Sequence, residues 1–132
     1  MIQVTIGDRD GVLWLSMAGH AGAAPKGQDI VCAAATMLMY TAAQAALDMW
    51  SRGELQTSPS VKLDDGSAGV AFRPKEEAME KGRLVLDVIR RGLEVLGKRY
   101  PENVAIYVLG NGDSRKDTEE PRAEPADMEP LA

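Results

Sequence analysis

Only one cysteine and one histidine occur in this chain, and it has a single phenylalanine. One cysteine excludes an internal disulfide framework and fits a reducing compartment. It also leaves thiol–disulfide catalysis without a resolving partner in the same chain. One histidine, one cysteine and a nearby aspartate make an incomplete zinc set, and paired-cysteine spacing is missing. No metal and no cofactor are therefore expected. A basic excess is missing too: 15 Lys and Arg stand against 20 Asp and Glu, a net charge of −5. That is no electrostatic footprint for nucleic acid. The most apolar stretch, residues 30–50, is interrupted by Cys32, Thr36, Thr41, Gln44 and Asp48. Its many alanines make it a poor membrane span by composition. Met1-Ile2-Gln3-Val4 is not a charged segment leading into an apolar run, so no signal peptide is expected and the expected location is the cytoplasm. No internal repeat is present.

What is there is a modest single core. The chain has 132 residues, 45% of them hydrophobic, the usual proportion for one globular domain. Residues 110–132 differ in character. Seven acids (Asp113, Asp117, Glu119, Glu120, Glu124, Asp127, Glu129) face three bases (Arg115, Lys116, Arg122), a balance of −4 that leaves −1 for the body. With Pro121, Pro125 and Pro130 and little apolar surface to bury, this tail is expected to be disordered. The expected division is a domain over residues 1–109 and a disordered acidic tail over 110–132.

Within the domain, Ile2, Val4 and Ile6 alternate with polar residues at strand period. Asp8-Arg9-Asp10-Gly11 signals a turn, and residues 12–17 resume a strand, which makes a hairpin. Asp29 has the chemistry of a helix N-cap, and residues 30–51 have high helix propensity up to the stop at Gly53. This helix is apolar over most of its circumference, which places it centrally or at a subunit interface. Val61-Lys62-Leu63 and Val70-Ala71-Phe72 flank Asp64-Asp65-Gly66-Ser67, a second hairpin. Pro74 can open a helix over 75–99, with Ala78, Val85, Ile89 and Leu96 on its core face and Gly82 and Gly92 at places of tight packing. Residues 104–109 form a continuous apolar run, a buried strand. The order ββαββαβ predicts an α+β fold with two helices packed on one face of a mixed sheet.

The chemistry concentrates in residues 19–36, Gly-His-Ala-Gly-Ala-Ala-Pro-Lys-Gly-Gln-Asp-Ile-Val-Cys-Ala-Ala-Ala-Thr. A thiol paired with an imidazole is an activated nucleophile. His20 lies in a glycine-rich loop and Cys32 opens an alanine-rich helix. The first turn of a helix favours thiolate over thiol and offers free N–H groups to an oxyanion. Gly19, Gly22 and Gly27 would let the loop open for a peptide and close over it. Taken singly, a lone cysteine is more often an inert buried thiol, and a loop histidine more often solvated. Asp29 reads as a cap before it reads as a catalytic orienter, and Thr36 as a packing residue one turn beyond Cys32.

Gly19-His20-Ala21, then Gly27, then Asp29-Ile30-Val31-Cys32-Ala33-Ala34, resemble the motif of the ribosomal-processing cysteine protease (Prp) family. The resemblance spans about residues 1–109. It implies a Cys–His dyad, with Cys32 as nucleophile, His20 as general base, and Asp29 as the acid just upstream. It implies a cysteine endopeptidase that removes a short N-terminal extension from ribosomal protein L-twenty-seven of the large subunit, and a homodimer. Thr36 stands where the family usually has serine, keeping the hydroxyl and adding a methyl group. A non-catalytic module that holds a ribosomal protein or assembly factor, and a thiol acyl transferase using the same dyad, are the competing expectations.

Overall fold

The computed structural model describes residues 1–19, 26–64, 66–109 and 122–123, with backbone alone at 26–29 and 122–123. Strands β1 (Ile2–Arg9) and β2 (Val12–Ala18) form the first hairpin. Its two-residue loop, Asp10-Gly11, has positive φ at both positions (54° and 81°), the combination whose twist matches that of the flanking strands. Helix α1 (Lys26–Ser51) follows, then β3 (Ser60–Asp64) and β4 (Ser67–Phe72). A short 3₁₀ turn (Glu76–Ala78) leads into α2 (Met79–Arg99), and β5 (Val104–Val108) closes the domain.

The order is thus ββαββαβ, as the pattern predicts, with one addition. Arg122–Ala123, inside the segment expected to lack structure, form a two-residue strand β6 on the edge of β5. Residues 110–121 and 124–132 lie outside the described residues.

The sheet runs β3-β4-β2-β1-β5-β6. Only the β1–β5 pair is parallel, so the sheet is mixed. Period-2 alternation puts Ile2, Val4, Ile6, Leu13, Leu15, Val70, Phe72, Val104 and Ile106 on one face, all buried. Both helices cover that face. Val31, Ala35, Met39, Ala42, Ala43, Ala46 and Met49 of α1 enter the core, with Leu86, Ile89 and Leu93 of α2. Each buried Val, Leu, Ile or Met side chain among them contributes about 1.5–3 kcal/mol.

Tight packing at the internal glycines is observed. A Cβ at Gly92 would stand 2.9 Å from Leu38 Cδ2 of α1, and one at Gly82 would stand 2.7 Å from Pro74 Cγ. The buried line of α2 runs through Leu86, Ile89 and Leu93, while Val85 and Leu96 are half-buried. The predicted face is therefore rotated, because the glycines let that side of the helix approach closely. By length and composition Ile30–Ser51 could cross a membrane. This corrects the expectation from composition; it is the packing of its small-residue face into the core that makes it a layer of this fold.

Candidate active site

One end of the sheet gathers the elements that carry the chemistry. The registers Gln3↔Ala18, Ala18↔Ser67 and Asp64↔Ser67 align the start of β1, the end of β2, the start of β4 and the end of β3. The first turns of α1 lie over the same end. Between them is a cavity of about 300 Å³, lined among others by Ile2, Met17, Gly19, Cys32, Thr36, Met39, Tyr40, Leu63 and Ser67.

Cys32 is half-buried, packed against the apolar core on one side and open to the cavity on the other. Cys32, Thr36 and Tyr40 follow one another at four-residue spacing, so all three reach the cavity from one face of α1. Three of the predicted site residues, Cys32, Thr36 and Gly19, thus come together. His20 and Gly22 lie outside the described residues.

Gly19 differs from its expected role. Its φ is +95°, and a Cβ there would stand 2.4 Å from the Met1 carbonyl oxygen. Its N–H donates to the Gly66 carbonyl in the β3–β4 turn at 3.0 Å. A left-handed φ and backbone contact on two sides make Gly19 a fixed point rather than a hinge. Gly19 lines the cavity and directly precedes His20 in the sequence.

Asp29 and Gly27 also differ. Helix α1 begins at Lys26, so Asp29 is its fourth residue and not its N-cap, and Gly27 belongs to the helix and not to the loop. The competing signal is Pro25, a residue that suits the start of a helix and directly precedes Lys26. Cys32 is consequently the seventh helical residue. Its N–H falls inside the helical hydrogen-bond ladder, not among the first four unpaired donors. The helix dipole acts mainly within the first turn. Neither an oxyanion nor a thiolate at Cys32 can therefore lean on the helix end as the sequence suggests.

Met17, Tyr40 and Leu63 are cavity residues that the sequence reading did not place at the site. Tyr40 was detectable as the i+8 position from Cys32. Met17 and Leu63 arrive through strand register, which has no local signal. Among the described residues no three of His, Cys, Asp and Glu come together as a metal set.

Residues 1–105 match the family described as cysteine protease Prp. A ribosomal processing cysteine protease Prp from Bacillus subtilis (strain 168) is 32% identical over 114 residues, covering 80% of this chain and 96% of the relative. One from Staphylococcus aureus (strain Mu50) is 25% identical over 105 residues, covering 80% and 94%. The S. aureus protease has been crystallised with a covalently linked product peptide. That structure superposes with a TM-score of 0.59 at 27% identity, over 82% of this chain and 99% of the other. Membership of such a family sets aside the non-catalytic module. The chain belongs to the ribosomal processing cysteine protease Prp family and is a cysteine protease.

Proposed function

We propose that Cys32 and His20 form the catalytic dyad of this protease, and that its substrate is the N-terminal extension of a large-subunit ribosomal protein of the L-twenty-seven type. The observation that carries the reading is the cavity, which holds the chain's one cysteine beside Gly19, the neighbour of its one histidine. In this reading His20 takes the thiol proton and Cys32 Sγ bonds to the scissile carbonyl carbon. The C–N bond then breaks, and His20 returns the proton to the leaving amine. Water next attacks the thioester carbonyl, releasing the N-terminal product and restoring the thiol. Thr36 shapes the floor beside Cys32, and Asp29 is a supporting residue one helical turn before it.

The substrate binds extended, because a helix would tie up the scissile carbonyl in its own hydrogen bonds. The wall formed by Ile2, Met17, Met39 and Leu63 favours apolar residues near the cut. Lacking a basic surplus on the body, the protease would recognise this segment by apolar contact more than by charge.

The working unit in this reading is a cytoplasmic homodimer that needs neither nucleic acid nor a membrane. Ile30, Met37, Tyr40, Leu47 and Trp50 of α1 are exposed, Ile30 and Met37 by more than 60%. An apolar helix face of this kind is what a second copy would cover. Incubating the protein with an N-terminally extended ribosomal protein tests the function. Intact mass should show two fragments whose masses add up to the substrate plus one water, and no fragments with Cys32→Ala. An uncut substrate, or equal cutting by Cys32→Ala, would refute it.

A further inference from the structure

The helix-facing side of the sheet thins toward the Cys32 end. Along β4 that side carries Phe72, then Val70, then Ala68. Phe72 and Val70 are buried, whereas Ala68 is half-buried and lines the hollow. The step shows in the rows that cross the sheet. One row runs Ile6, Leu15, Val70 and Val61, with a branched side chain on every strand. The next row toward Cys32 runs Val4, Met17, Ala68 and Leu63. Its third place holds a single methyl group.

Met17 and Leu63 flank that methyl, one strand spacing away on either side. Their Cβ atoms therefore stand about 10 Å apart with only Ala68 between them. Helix α1 does not fill the gap. One turn apart on its cavity face are Cys32 and Thr36, both small. Cys32, Met17, Ala68 and Leu63 all line the same hollow. Leu63 is left 42% exposed although it lies on the core side of the sheet. Close packing closes gaps of this kind inside a core. A gap with apolar walls and an open mouth is a seat for an apolar group from outside.

We infer that Ala68 is the floor of a slot that takes one large apolar side chain of the extended peptide, and that the size of residue 68 sets what the slot admits. The inference rests on the reading of the Cys32 cavity as the peptide site. Insertion covers Leu63 and takes its apolar surface out of water. Met17, unbranched and flexible, bends to the incoming shape, so the slot selects on size more than on outline. A side chain at position 68 as large as its neighbour Val70 raises the floor and shuts the slot from below.

The test labels Cys32 and does not depend on peptide hydrolysis. The probes are tripeptide chloromethyl ketones, in which Cys32 Sγ displaces chloride and forms a thioether. One probe is all alanine. Three others carry one leucine, at the first, second or third residue from the reactive group. Labelling rates are followed by intact mass in the parent, in Ala68→Val and in Ala68→Leu. In the parent, leucine at one of the three positions should speed labelling about 10- to 100-fold over the all-alanine probe. That ratio should fall stepwise through Ala68→Val and come within about threefold of unity in Ala68→Leu. The valine variant alone decides the matter if leucine unfolds the hairpin. A parent that labels all four probes alike would overturn the inference, as would a ratio that ignores residue 68 in a folded variant. If the ratio follows residue 68 while no extended ribosomal protein is cut, the fault lies with the assigned activity. If cutting stands while the ratio ignores residue 68, the fault lies with the slot.

Discussion

The two ends of the sheet both open into cavities, and they are built differently. The end with Cys32 holds about 300 Å³, and its lining mixes Ile2, Met17, Met39 and Leu63 with Thr36, Tyr40, Asp64 and Ser67. The opposite end, between β1, β5 and α2, holds about 500 Å³. There the charged groups answer one another: Arg83 Nε donates to Asp8 at 2.8 Å, and Arg90 pairs with Asp87 at 3.2 Å. The larger hollow has no cysteine or histidine among its described lining residues, and four of its charged residues, Asp8, Arg83, Asp87 and Arg90, are paired. Cavity size therefore does not locate the chemistry of this fold. In the proposed function that place belongs to a thiol left half-open between a helix face and a strand end.

Replacing Cys32 should sharpen that contrast most. Cys32→Ala removes one sulfur from a helix that favours alanine, so the melting temperature should move by no more than about 2 °C. Peptide cleavage should fall by roughly 10⁴-fold or more. Normal turnover in this variant would move the chemistry away from the Cys32 end altogether.

His20→Ala comes next. Loss of the proposed proton carrier should lower kcat/KM by about 10²- to 10⁴-fold while circular dichroism stays unchanged. Turnover within a factor of a few of the parent would remove His20 from the dyad.

Gly19→Ala probes the backbone beneath the site. A side chain at φ +95° pressed against the Met1 carbonyl should cost about 1–3 kcal/mol in urea denaturation. A hinge glycine in open space would tolerate alanine, so an unchanged midpoint would restore the flexible-loop reading.

At the other end, Arg83→Ala breaks the pair with Asp8. Because Arg83 is half-exposed, the loss should be no more than about 1 kcal/mol, and cleavage should be unaffected. A marked fall in cleavage would tie the larger cavity to function after all.

Much of the fold could be read locally. Alternating Ile2, Val4 and Ile6, the Asp10-Gly11 turn, and the apolar run at residues 104–109 each carry their own periodicity or turn chemistry. The start of α1 could not be read so well, because Asp29 and Pro25 both signal a helix start and only tertiary context chooses between them. The face of α2 was shifted by close contacts at Gly82 and Gly92, which depend on Pro74 and Leu38 elsewhere in the chain. β6 has no strand pattern of its own; it pairs because β5 offers an unpaired edge. The site divides in the same way. Cys32 and Thr36 stood out by chemistry and helical spacing. Met17 and Leu63 reach the cavity through long-range register, and a one-residue slip would have turned them to the other face.

The central claim is that Cys32 becomes covalently attached to the N-terminal product during turnover. Trapping that thioester tests it most directly. The protease is mixed with an extended ribosomal peptide, quenched in acid within the first turnover, digested at low pH, and mapped by mass. The account predicts one adduct on the fragment containing Cys32, with the mass of the N-terminal product less one water. A cleaved peptide with no adduct, or an adduct on any other residue, would contradict it.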